Sequence, residues 1–183
     1  AQMLDTPRTI TEPDEPKAWP GLKSGVKLED VRFHYDADTE VLKGIDLDIP
    51  AGSHIGIIGS TGAGKSTIIN LLLRFRDPVA GRITIDGVDI RALSVQELRR
   101  RSGLVLQDVH LFAGTLLDNL GGDAQQANRA LDILGIGHFS LDMELTDGGG
   151  NLSRGERQLI TFARALVDEP EFLVLDEATS AVD

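Results

Sequence analysis

The chain has 183 residues, 41% of them apolar, and no cysteine, which suits one globular domain and excludes disulfides and thiolate metal sites. A net charge of −11 excludes a general nucleic-acid-binding surface. It does not exclude a nucleotide, which needs only a local nest of N–H groups and a metal ion. No apolar run reaches the length of a membrane span, and nothing at the N-terminus reads as a signal peptide.

Residues 1–25 carry Pro7, Pro13, Pro16 and Pro20 among scattered charges and read as a linker. Two segments then alternate apolar and polar residues, Val26–Tyr35 and Leu42–Ile49, as half-buried strands do. Ser53–Ile58 is more apolar and is expected as a buried strand. Lys65–Phe75 places Ile68, Leu71, Leu72 and Phe75 at helical spacing, and Ile69 and Leu73 make that helix apolar nearly all round.

Gly81–Asp86 and Gly103–Leu106 are expected as strands, with a short helix between them opened by the capping-box pattern Ser94-Val-Gln-Glu97. Asp123–Leu134 reads as a helix, Gly148–Gly150 as a break, Ser153–Val167 as a helix and Phe172–Leu175 as a last buried strand. Strands alternating with helices predict an α/β domain with a mainly parallel central sheet, beside a small antiparallel β layer at the N-terminal end.

Gly59-Ser60-Thr61-Gly62-Ala63-Gly64-Lys65-Ser66, followed by Thr67, fits the P-loop pattern in full and opens a helix, as that pattern requires. Its glycines let backbone N–H groups turn inward around phosphates, and the helix N-terminus adds partial positive charge. Lys65 is expected on the outer phosphates and the Ser66 hydroxyl on Mg²⁺. The apolar strand 172–175 runs into Asp176, a candidate Mg²⁺ ligand, and then Glu177, a candidate general base for the attacking water. A strand ending in a solvated Asp-Glu pair is the plainer alternative. These motifs point to a P-loop nucleotidase and no further.

Further motifs narrow the class. Asn151-Leu-Ser-Arg-Gly-Glu-Arg-Gln158 resembles the signature of ABC transporter nucleotide-binding domains, usually Leu-Ser-Gly-Gly-Gln. Asp176–Asp183 is similar to that family's acidic motif running into its D-loop, Gln107 to its Q-loop glutamine, and Tyr35 to its adenine-stacking aromatic. Leu106–Asn119 resembles the exporter form of the Q-loop region, and Met3–Pro7 the segment joining an exporter's membrane helices to its ATPase. Gly149–Leu159 is most similar to multidrug-type and multidrug-resistance-protein-like exporters.

The resemblance implies a linker over 1–25 and a nucleotide-binding domain over 26–183, with a reduced helical subdomain between Asn119 and Ser153. It implies ATP contacts from Tyr35, residues 59–67 and Gln107, Mg²⁺ contacts from Ser66, Gln107 and Asp176, and catalysis by Glu177. Ser153, Arg154, Gly155, Glu156 and Asp183 would complete the site of a second nucleotide-binding domain, in a homo- or heterodimer. A transmembrane domain of the same polypeptide, at whose cytoplasmic face the domain works, would be the other partner. No nucleic-acid partner is implied.

The signature departs from its usual form at Arg154 and Glu156, and Ser153-Arg-Gly-Glu156 also reads simply as a capping box. His34, His54, His110 and His138 all lie away from the place of the family's switch histidine, which is expected beyond Asp183. Two other readings stay open at this point: a soluble ABC-type ATPase of DNA repair or chromosome maintenance, and an ATP-binding but weakly hydrolysing half of a heterodimeric exporter.

Overall fold

The computed structural model describes residues 10–36, 39–106 and 110–176. They fall in two compact units, Ala1–Arg99 and Arg100–Asp183.

The first unit is built on a four-stranded antiparallel sheet in the order β2-β1-β3-β4, from β1 (Gly25–His34), β2 (Glu40–Pro50), β3 (Ala80–Ile85) and β4 (Val88–Asp89). In β1 the buried pairs Val26/Leu28 and Val31/Phe33 are one residue out of phase with each other. A bulge at Asp30, whose φ is 43°, absorbs the extra residue and returns both pairs to the same face. Opposite the bulge, Gly81 has a φ of 79°, and a Cβ there would run into the carbonyls of Glu29 and Asp30.

Helix α1 (Lys65–Leu72) buries Thr67, Ile68, Leu71 and Leu72. It stops three residues short of the predicted Phe75, because Arg74 takes a left-handed φ of 49° and Phe75 N–H turns back to donate to Asn70 O at 2.7 Å. A single 3₁₀ turn, Ile90–Ala92, then leads into α2 (Val95–Arg100), where Ser94 Oγ accepts from Glu97 N–H at 3.5 Å as the capping pattern predicts.

One further expectation needs correction in this unit. Residues 53–58 form no strand, and Ile55, Ile57 and Ile58 are 46, 41 and 98% exposed. An apolar run becomes a buried strand only when neighbours pair its edges and cover its faces, and among the described residues no strand pairs with it. The segment expected as a linker makes a contact of its own with this unit. Lys17 bridges to Leu93 as in a parallel ladder, and its N–H donates to Ala92 O at 2.8 Å.

The chain entering β1 is held by one carboxylate. Asp86 accepts N–H bonds from Lys23 and Ser24 at 2.8 Å and from Gly25 at 2.9 Å. Those bonds, the one from Gly25 foremost, hold its carboxyl below the usual carboxylate range. A depressed native pKa means stability that is present above the ordinary value of about 4 and is lost as pH falls through the lowered one. Denaturant unfolding at pH 7 and pH 3 is therefore expected to show a smaller acid loss in Asp86→Asn than in the parent, the two converging at low pH.

In the second unit β5 (Ser102–Val105) pairs in parallel with β8 (Phe172–Leu175), and Asp176 N–H extends the ladder to Val105 O at 2.9 Å. β6 (Gly114–Thr115) and β7 (Glu144–Leu145) form a short antiparallel pair. Helices α3 (Leu116–Leu120), α4 (Ala124–Ile133) and α5 (Arg154–Leu166) surround a core of Leu116, Leu120, Leu131, Leu145, Ile160 and Ala163. Each helix opens on a complete capping box, from Thr115/Asp118, Asp123/Gln126 and Ser153/Glu156.

Candidate functional site

The phosphate loop, 59–66, enters α1 through Gly64 at φ 92°, and no side chain caps the helix. Its first-turn N–H groups are therefore free of an internal acceptor, and no acidic residue stands in that turn to compete with an anion. Gly62 is also left-handed, at φ 82°. Gly64 is buried, and a Cβ on it would stand 2.7 Å from Leu42 Cδ2. Gly64→Ala thus combines a left-handed alanine with a clash. It is expected to cost about 1–3 kcal/mol in denaturant unfolding, and an unchanged midpoint would show that the loop has another shape.

Lys65 Nζ lies over its own loop, donating to Gly59 O at 2.7 Å and Ser60 O at 3.0 Å. Ala63 N–H closes the turn on Ser60 O at 3.1 Å. The ammonium is thus held at the loop's mouth by weak neutral acceptors, which a phosphate oxygen would outcompete as a charged one. Ser66 is exposed on the same turn, while Thr67 is buried and its Oγ1 lies 3.2 Å from Tyr35 Oη.

Tyr35, expected as the base-stacking aromatic, is 48% exposed beside α1. It stands edge-to-face with Phe33 at a centroid separation of 4.9 Å. Two residues that sequence reasoning missed also hold it. Asn70 Nδ2 donates to Tyr35 Oη at 3.5 Å, and the Arg76 guanidinium lies 5.5 Å from the ring centroid. For Asn70 the i, i+3 spacing from Thr67 on α1 was a usable signal; for Arg76 there was none.

In the second unit Ser153 caps α5. Its Oγ accepts from Glu156 N–H at 3.2 Å, and Ser153 N–H donates to Glu156 Oε2 at 2.7 Å. Hydrogen bonding to the carboxylate from Ser153, from its side chain first and then its N–H, keeps the Glu156 carboxyl below the usual range. The expected capping box is present, and Arg154 and Gly155 stand exposed on the first turn, with open space where a Gly155 Cβ would go. Arg157, not singled out from the sequence, pins the loop before the helix by donating from Nη1 to Leu152 O at 2.7 Å and Gly149 O at 3.2 Å.

Asp176 ends the parallel pair. Gln107, Glu177 and Asp183 lie outside the described residues. No cluster of three or more His, Cys, Asp or Glu residues suited to a metal occurs among the described residues. Ser66 in the first unit and Asp176 in the second each carry an oxygen donor of the hard type that Mg²⁺ prefers.

Known proteins resemble the chain along most of its length. The ABC transporter family model matches residues 42–180. A fatty acid ABC transporter ATP-binding/permease protein of Mycobacterium bovis is 42% identical over 99% of this chain, which covers 30% of that protein. The heterocyst differentiation ATP-binding protein HepA of Nostoc sp. is 39% identical over 89% of this chain and 29% of its own. A solved bacterial Atm1-family ABC exporter with ATP bound superposes with a TM-score of 0.88 at 37% identity, over all of this chain and 34% of that one. The chain thus spans about a third of the length of the proteins it matches.

Proposed function

This chain belongs to the ABC transporter family, and on that premise we propose that it is the ATP-binding and ATP-hydrolysing domain that powers export by a longer membrane protein. The observation that carries the proposal is the uncapped N-terminus of α1, opened by a complete phosphate loop with Lys65 over its mouth. The ATP-bound exporter neighbour and the ATP-binding/permease relatives support the same reading. No helix among the described residues is long and apolar enough to cross a membrane. The ATP-binding/permease relatives support a transmembrane domain in the same polypeptide, joined through residues 1–25, with 26–183 as the nucleotide-binding domain at the membrane's cytoplasmic face.

In this reading the N–H groups of residues 59–67 and the Lys65 ammonium hold the outer phosphates, and Tyr35 stacks on adenine. Ser66, Gln107 and Asp176 hold Mg²⁺, which neutralises phosphate charge when bound. Glu177 takes a proton from the water that attacks the γ-phosphorus, and ADP leaves as the bond to the β-phosphate oxygen breaks. Ser153, Arg154, Gly155, Glu156 and Asp183 face the γ-phosphate held by a second nucleotide-binding domain.

One observation favours a second reading, an exporter with unequal sites. The signature serine and the substituted Glu156 already satisfy each other in the capping box. The anion site offered to a partner is thereby weakened, while the loop on this chain is intact. Steady-state ATPase and vesicle uptake assays on the full-length protein, alone and with a second exporter half, test both. Turnover without transport, or no turnover in either setting, would overturn the exporter assignment.

A further inference from the structure

The strongest buried charge in the first unit takes no part in the proposed chemistry. Arg74 is 3% exposed. Its Nε donates to Asp77 Oδ1 at 3.0 Å, its Nη1 to Leu93 O at 3.3 Å and its Nη2 to Thr11 O at 2.9 Å. A guanidinium this deep is tolerated only while its N–H groups keep acceptors, and one of the three acceptors comes from the N-terminal segment. That segment is tied down at two further points. Both carboxylate oxygens of Glu12 accept from Val95 N–H, at 3.1 and 3.2 Å, and Lys17 N–H donates to Ala92 O at 2.8 Å. Residues 11–17 thus lie as a strap across the chain that leads into α2.

Arg74 also sits at the exit of α1, whose entry is the phosphate loop. Its N–H donates to Leu71 O at 3.0 Å, and its left-handed φ of 49° ends the helix. Asn70, one turn earlier, accepts from Phe75 N–H at 2.7 Å and reaches Tyr35 Oη with its side-chain amide. The helix has only eight residues, so the phosphate end and the strap end are about 12 Å apart on one short rigid element. An anion at the N-terminus stabilises the first turn, and because helix formation is cooperative, an eight-residue helix so held also frays less at its other end.

We propose that Arg74 is a positioning residue that clasps the 11–17 strap to the exit of the phosphate-binding helix, so that nucleotide binding tightens the path by which the chain enters the domain. This rests on the nucleotide reading given above. The strap then carries the state of the phosphate loop toward the segment assigned to the transmembrane junction. Glu12, capping α2, and Lys17, paired to the chain just before it, keep the strap in register. Arg74 bonds the strap directly to the exit of α1, while Arg99 ties the same exit to α2 by donating to Leu73 O at 3.2 Å and Arg74 O at 2.8 Å.

Hydrogen exchange read by mass spectrometry tests this on the full-length protein, with and without a non-hydrolysable ATP analogue, its binding followed by calorimetry. The Lys17 amide is expected to exchange at least tenfold more slowly than in a free chain, and about threefold more slowly again when nucleotide saturates. Arg74→Lys keeps the charge but not the three-way fork, and should abolish the nucleotide-dependent slowing while nucleotide still binds. A merely structural role would move stability without moving that response. Glu12→Gln, an exposed change that leaves the core untouched, should loosen the strap and carries the test if Arg74→Lys does not fold. A Lys17 amide at the free-chain rate overturns the strap. Bound nucleotide with unchanged Lys17 exchange, or an undiminished response in Arg74→Lys, overturns the coupling. Nucleotide that does not bind overturns the underlying reading, and the coupling falls with it.

Discussion

Lys65→Ala is expected to weaken ATP binding about a hundredfold, the equivalent of roughly 2–3 kcal/mol for a charge-assisted contact at a partly desolvated site. The phosphate loses its cation. The bonds that Lys65 makes to Gly59 O and Ser60 O belong to the free loop and give way to the phosphate, so their loss falls on the free state and offsets only a small part of the effect. Titration calorimetry with ATP and with tripolyphosphate separates the phosphate contribution from the base contribution. Both ligands should weaken together, because Tyr35 and its neighbours Phe33 and Arg76 are untouched. Equal affinity in mutant and parent would defeat the assignment of the loop.

Glu177→Gln should leave ATP binding within a few-fold of the parent and lower turnover by about 10²–10⁴, the range for removing a general base. Glutamine keeps the size and much of the hydrogen bonding of glutamate but cannot take the water's proton. Asp176, one residue earlier, donates its N–H to Val105 O just beyond the end of β8. Single-turnover measurements on the full-length protein distinguish a slowed chemical step from slowed product release. Parental turnover in the variant would remove Glu177 from the role of base. The combination with Lys65→Ala is informative too: a variant that cannot bind and a variant that binds without turning over should differ in whether ATP protects the 11–17 strap.

Much of the site was legible because its signals are local. A glycine loop before a helix, a capping box at i and i+3, and apolar residues at i, i+3 and i+4 are contacts that a short stretch of chain makes with itself. Those contacts account for α1 opening at Lys65, for α4 following Asp123 and for α5 following Ser153. β8 falls on Phe172–Leu175, the apolar run itself, but it is not the buried strand expected, since Leu173 and Leu175 are each 45% exposed.

What the tertiary structure decided lies at long separation. The apolar 53–58 segment has a strand's composition, but pairing is supplied by other strands, and its isoleucines stay open among the described residues. α1 stops at Leu72 although the apolar pattern runs on to Phe75, because Arg74 turns left-handed where Thr11, 63 residues away, and Leu93 receive its guanidinium. Glu12 caps a helix 83 residues further along, inside a stretch that prolines and scattered charge had marked as a linker. Periodicity cannot report such contacts, since each is a hydrogen bond whose two partners meet only after the sheet and helices between them have formed.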